Sequence, residues 1–214
     1  MAVETRSGMW GYYFGNEQDS SNALTLDQMK VNAHYVFQSL LQSGFTLNAI
    51  CGMLGNMQAE STINPGRWQS DRVGGDPSGH GYGLVQWTPY TKYTEWATSE
   101  GYDYSTMDSN LARINYEVLN GLQWIATSSY NMTFRQFRES TESPEYLAAA
   151  FVYNYERPAS YDHVSYRQQC ARYWWDYLGG GDIPPTPPTP GTITKKKNYN
   201  FVLFNSRKRR RING

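Results

Sequence analysis

Apolar positions recur at three- and four-residue steps along most of the first 178 residues, and glycine and proline interrupt them at a few points. A helix is predicted from Thr25, where Thr25 and Gln28 have capping-box spacing, to Gly44. A second is predicted from an N-cap at Thr46 to about Glu60. Residues 61–90 hold Pro65, Pro77, Pro89 and many glycines, which predicts turns and short strands. Helical patterns return at 91–99 and at 106–126, where Leu111, Ile114, Val118, Leu122 and Ile125 form one stripe. Ser143-Pro144-Glu145 is a helix start with proline in the first turn, opening a helix through Tyr155. A last helix, from about Ser160 to Leu178, is stopped by Gly179-Gly180-Gly181. The fold class expected is α+β, predominantly α-helical, with one Gly/Pro-rich, partly β insertion.

The second helix ends in an unexpected way. Ile50, Met53, Leu54 and Met57 mark its buried face. Glu60 follows Met53 by seven residues, which at roughly 100° per residue leaves it about 20° from that face. Its carboxylate is therefore predicted to point into the packed side, at the negative end of the helix dipole. Both features raise a carboxyl pKa, and a carboxylic acid kept protonated near neutral pH is what the departing oxygen of a glycosidic bond requires. The competing expectation is a Glu60 turned to solvent or paired with an arginine. Gly52 and Gly55 open the same helix to close approach by another backbone.

Composition adds a second pointer. Aromatic residues make up 15% of the 214 positions, with 18 Tyr and 7 Trp, enough to line a groove that stacks on sugar rings as well as to fill a core. The zero net charge conceals a division. Eight of the 19 basic residues lie at Lys195, Lys196, Lys197, Arg207, Lys208, Arg209, Arg210 and Arg211, and no acid lies beyond Asp182. Residues 1–194 thus carry 11 basic against 19 acidic residues, a net of −8, and the last twenty carry +8. GGGDIPPTPPTPGT, at 179–192, has linker composition, which divides the chain into a lead-in at 1–24, a body at 25–178, a linker at 179–194 and a basic segment at 195–214.

Cys51 and Cys170 are too few for a disulfide scaffold, and a buried thiol is expected at Cys51, although one long-range bridge stays open. His34, His80 and His163 have no metal-ligand spacing, so no metal is expected, and no motif requires a cofactor. The N-terminus shows neither a signal peptide nor a membrane span.

Three segments carry a resemblance. Glu60 is followed by Ser and then Asn-Pro, GYGLVQWTP stands at 81–89, and an Ala-rich helix with a Tyr-Asn pair, AAAFVYNYERP, at 148–158. This arrangement resembles the lytic transglycosylase and goose-type lysozyme superfamily. It is closer still to the phage tail lysozyme family, in particular the tail-knob peptidoglycan-degrading enzymes of phi29-type phages. MKVNAHYVFQSLL, AICGMLGNMQAESTINPG, GYGLVQWTP and YERP stand in the same order there, and the resemblance covers 25–178. It implies a lysozyme-like fold, cleavage of bacterial peptidoglycan between N-acetylmuramic acid and N-acetylglucosamine, Glu60 as general acid, Gln86 lining the sugar groove and Tyr153 near the Glu60 carboxyl. It also implies modular relatives that carry a second wall-cutting domain after a flexible linker.

A two-carboxylate hydrolase needs a second acid, and Asp71 and Asp76 are the only acids between Glu60 and Gln86. Each is equally readable as a turn aspartate. Without them, attack by the muramic acid's own hydroxyl would make the protein a lytic transglycosylase. Tyr82 and Trp87 flank Gln86 and are the favoured stacking residues among Trp68, Tyr82, Trp87, Tyr90, Tyr153 and Tyr155. The basic segment is a candidate contact to anionic wall polymers or to other phage tail proteins. The expected setting is a phage virion tail or the host wall after release, and a non-catalytic wall-binding or structural tail module is the alternative from another class.

Overall fold

The computed structural model describes residues 3–15, 23–69 and 79–179. The linker from Gly180 onward, the basic segment, Asp71 and Asp76 all lie outside the described residues.

At the N-terminus, where an irregular lead-in was expected, two short strands pair in antiparallel register, β1 (Glu4–Ser7) and β2 (Gly11–Phe14), with Glu4 opposite Phe14. Alternation along β2 turns Tyr12 and Phe14 into the core, and the Arg6 guanidinium covers the Phe14 ring at 3.3 Å. The first long helix, α1 (Leu26–Gln42), starts on the expected capping box of Thr25 and Gln28. It gives way at Gly44, whose φ is +86°.

The centre of the body is α2 (Leu47–Ser61), capped by Thr46 and buried at every position from Ala49 to Met57. A helix enclosed on all sides must let its neighbours come close, and its two glycines do this. A Cβ on Gly52 would stand 2.9 Å from the Leu147 side chain and 3.0 Å from the Ala148 nitrogen. One on Gly55 would stand 2.4 Å from the Arg167 carbonyl oxygen and 2.8 Å from the Ala171 nitrogen. Those contacts belong to α6 (Pro144–Phe151) and α7 (Val164–Gly179), which pack on α2 there.

The remaining helices are α3 (Thr91–Ser99), α4 (Met107–Asn120) and α5 (Phe134–Glu139). The stripe predicted through residue 126 ends early, because Gly121 takes a left-handed conformation and closes α4. Leu122 and Ile125 are consequently 40% and 60% exposed. α6 also stops short of Tyr155: the backbone widens into a π-helical turn over Val152–Glu156, and Arg157 then turns left-handed. Both cysteines are buried free thiols, and burial pushes the Cys51 thiol up. Among the described residues no helix is long and apolar enough to cross a membrane.

Replacing Gly55 with alanine would drive a methyl group into the α7 backbone, where no rotamer can relieve the contact. We expect Gly55→Ala to cost roughly 2–3 kcal/mol, as overpacking does. Thermal unfolding followed by circular dichroism should then show Tm lowered by about 4–12 °C.

Candidate active site

A cleft of about 590 Å³ opens where the C-terminal end of α2, the 82–87 turn and the π-helical turn meet; its lining includes Glu60, Gln86, Trp87, Tyr155 and Glu156. Behind this lining, buried asparagines and a serine brace the segments that form it.

After Glu60 the chain reverses through Thr62 and Ile63, both left-handed with φ of 55°. Asn32 on α1 holds that reversal, its Nδ2 donating to the Ile63 carbonyl at 2.8 Å and its Oδ1 accepting from the Tyr13 N–H at 2.7 Å. Asn64 accepts from the Gly66 N–H at 3.0 Å and donates to the Gly15 carbonyl at 2.9 Å. Ser61 Oγ donates to the Leu84 carbonyl at 2.9 Å, which ties the end of α2 to the 82–87 turn.

That turn is pinned at both ends. Tyr82 and Trp87 bond to each other through their backbones, and the Gly83 N–H donates to the Arg67 carbonyl at 2.9 Å. Gly83 has φ of +86°, and a Cβ there would meet the Asn110 side chain at 2.6 Å. Gln86 sits in the left-handed region (φ 50°), with Nε2 donating to the carbonyls of Arg67 (2.9 Å) and Gly83 (3.0 Å). Its amide therefore stands rigidly at the cleft wall.

Glu60 lies at the cleft and accepts on Oε1 from Arg167 Nη2 at 2.5 Å, so the arginine-paired alternative describes it. Arg167 is itself buried and donates from Nη1 to Asn56 Oδ1 at 3.1 Å. The Asn56 amide in turn donates to the carbonyls of Gly52 (2.9 Å) and Ala148 (3.1 Å). The sequence carried a signal for Arg167: it stands one helical step before the buried Cys170, Ala171 and Trp174, on the same stripe.

Two further acids surround the cleft. Glu117 is fully buried on the apolar stripe of α4 and accepts from Trp87 Nε1 (3.0 Å), Arg113 Nε (2.8 Å) and the Tyr155 hydroxyl (2.5 Å). Burial raises its pKa, and the bonds from Tyr155, Arg113 and Trp87 oppose the rise. It fixes both aromatic rings that face the cleft from this side. Glu156 shares the cleft with Glu60, and its Oε1 is sealed from solvent with no hydrogen-bond partner. Burial first, and then the charge of Glu60, push its pKa well above the ordinary carboxyl value.

The aromatic residues divide. Trp87 lines the cleft floor, stacked on Tyr93 with centroids 4.4 Å apart, and Trp68 lies beside it. Tyr82 is buried behind them against Trp68 and does not line the cleft. Tyr153 stacks between Tyr130 and Tyr161, outside the cleft, and Tyr155 takes the cleft position on this segment. No cluster of His, Cys, Asp and Glu among the described residues could hold a metal ion. Chemically, the cleft offers two carboxyl groups in unlike environments, a fixed amide and flat rings. That set suits protonation of a sugar's leaving oxygen.

All five non-glycine residues with positive φ among the described residues are Thr62, Ile63, Gln86, Gln123 and Arg157. Gln86, Gln123 and Arg157 line the cleft, and the other two immediately follow the end of the helix that carries Glu60. Strain of this kind persists where the surrounding structure enforces it, and it concentrates at functional sites.

The model of the family described as phage tail lysozyme matches residues 31–178. Morphogenesis protein 1 of Bacillus phage B103 is 51% identical over 162 residues, which cover 75% of this chain and 43% of that protein. The matched region thus spans less than half of that relative's length.

Two outcomes follow from these acids. Glu117→Ala would leave Arg113, Trp87 and Tyr155 without their acceptor, and we expect a loss of about 3–5 kcal/mol in denaturant unfolding. Glu117 and Glu156 have pKa values raised in the folded state, so between their unfolded and folded values the native protein binds more protons than the unfolded chain. Their contribution to stability therefore falls as pH rises through that interval. Melts at about pH 5 and about pH 8 should show a drop in Tm, and Glu156→Gln should remove part of it.

Proposed function

The chain belongs to the phage tail lysozyme family, and from that premise we propose that it is a glycosidase of bacterial peptidoglycan, cutting the bond between N-acetylmuramic acid and N-acetylglucosamine. Glu60 delivers the proton to the leaving oxygen as general acid. The observation that carries this reading is the cleft itself, which gathers Glu60, the Gln86-Trp87 pair and Tyr155 from three separate segments around one space of sugar-binding size. Gln86 orients the glycan by hydrogen bonding, and Trp87 and Trp68, buried in the cleft wall, shape the surface that it meets. Asp71 and Asp76 are candidates for a carboxylate that stabilises the positive charge developing on the sugar, and Tyr82 and Tyr153 act on the glycan indirectly, through the rings and turn that they support.

The name morphogenesis protein, borne by the phage relative, supports action from the virion tail over release as a lysis enzyme. A tail-borne glycosidase makes a local hole in the host wall for genome entry. The basic segment at 195–214 then docks on other tail proteins or on anionic wall polymers.

Digestion of purified peptidoglycan by the full chain, with the fragments read by mass spectrometry, tests this reading. Reducing muramic ends are expected from a hydrolase; anhydro ends would instead make the protein a lytic transglycosylase, with the muramic hydroxyl as nucleophile. Glu60→Gln should bind walls as the parent does and lose at least about 100-fold in cleavage rate. Absence of any glycan cleavage by the parent would leave a non-catalytic wall-binding module.

A further inference from the structure

General acid chemistry at Glu60 requires a proton, yet in the resting protein the Glu60 carboxylate is the ion-paired partner of Arg167. Among the described residues the cleft lining holds one other carboxyl group, and its surroundings are the opposite. Glu156 closes the π-helical turn, and its Oε1 has neither solvent nor a hydrogen-bond donor. Two arginines near it direct guanidinium nitrogens to other groups. Arg157 directs Nη1 to the carbonyls of Gln123 and Asn154, both at 2.6 Å, and Arg167 is divided between Asn56 and Glu60.

Among the described residues, the charged and titratable groups that act on Glu156 include Glu60 from α2, Glu117 from α4, Arg167 from α7, and Arg157 and Tyr155 on its own segment, and Arg67 lines the same cleft. Burial and the carboxylates Glu60 and Glu117 favour its neutral form, against the opposing arginines. A buried, donorless oxygen beside another carboxylate is where a proton stays when one is shared between two acids.

We propose that Glu156 is the second carboxyl group of this site and stores the proton that Glu60 delivers to the leaving oxygen of the glycan, an assignment that rests on the glycosidase reading above. The O–H bond of Glu156 breaks as its proton passes through the cleft to Glu60. Glu60 gives that proton to the glycosidic oxygen as the bond from the anomeric carbon to this oxygen breaks. The incoming hydroxyl, from water or from the muramic acid, bonds to the anomeric carbon and its proton restores Glu156. No electron is gained or lost overall, and no co-reactant is needed. Glu156 acts through Glu60 and is a positioning residue for the proton.

The test is the pH–rate profile of the full chain on purified peptidoglycan, compared for the parent, Glu156→Gln and Glu156→Asp. A glutamine replaces a neutral carboxyl with a neutral group of the same shape, so folding and wall binding should be retained. We expect kcat of Glu156→Gln at neutral pH to fall by about tenfold or more, with KM within about twofold of the parent, because proton transfer alone is affected. Its alkaline limb should move to lower pH, and Glu156→Asp should recover part of the rate. A Glu156→Gln profile that overlays the parent would overturn the assignment while leaving the glycosidase reading intact. So would a rate loss that accompanies unfolding and is not recovered by aspartate. If the parent releases no glycan at any pH, the glycosidase reading fails first and the assignment goes with it.

Discussion

The approach of α7 to α2 at Gly55 governs both the fold and the site. Because no side chain stands there, the Arg167 carbonyl rests where a Cβ would be, and the arginine's guanidinium is delivered between Asn56 and Glu60. Asn56 joins that pair to the carbonyls of Gly52 and Ala148, and so to α6. From α6 the chain runs directly into the π-helical turn that presents Tyr155 and Glu156. The ion-paired carboxylate and the isolated carboxyl are therefore placed by one packing contact, reached along two routes. A shift of α7 by a fraction of an ångström would disturb Glu60 before it disturbed the core.

The same economy appears in the loops. Left-handed conformations at Thr62, Ile63, Gln86 and Arg157 are unfavourable for residues with side chains, and each is held by a buried polar partner or by its position between packed helices. Asn32 secures Ile63, Ser61 secures Leu84, and the Arg157 N–H donates to the Val152 carbonyl at 2.8 Å. The asparagines and serine that perform this are fully enclosed, so their hydrogen bonds act without competition from water.

Much of this was legible in the sequence where chemistry is local. Thr25 with Gln28, Thr46, and Ser143 with Pro144 announced their helix starts, and Gly52 and Gly55 announced close packing. Helical phase brought Glu60 toward the packed side, while its pairing with Arg167 was the competing expectation. What escaped was anything that breaks phase. The π-helical turn departs from the regular period of α6, and Tyr155 lines the cleft instead of the Tyr153 that the resemblance implies. Gly121 ended α4 before the apolar pattern did, which exposed Leu122 and Ile125. Glu117 and Arg167 stood in plain view as charges on apolar stripes, but their partners come from distant segments that no spacing rule connects. The β1–β2 pair was too short to show a period, although Tyr12 and Phe14 alternate as a strand requires.

At its last described residue the body has a directional consequence. Gly179 ends α7 against Leu47, the first residue of α2, and Glu60 lies at the other end of that same helix. Fifteen residues of helix separate the two ends by about 20 Å. Gly179 therefore lies at the end of α2 remote from the cleft. A bulky attachment joined there could be anchored to a large assembly while the cleft still faces outward, in the way a drill bit is gripped at its shank and cuts at its tip.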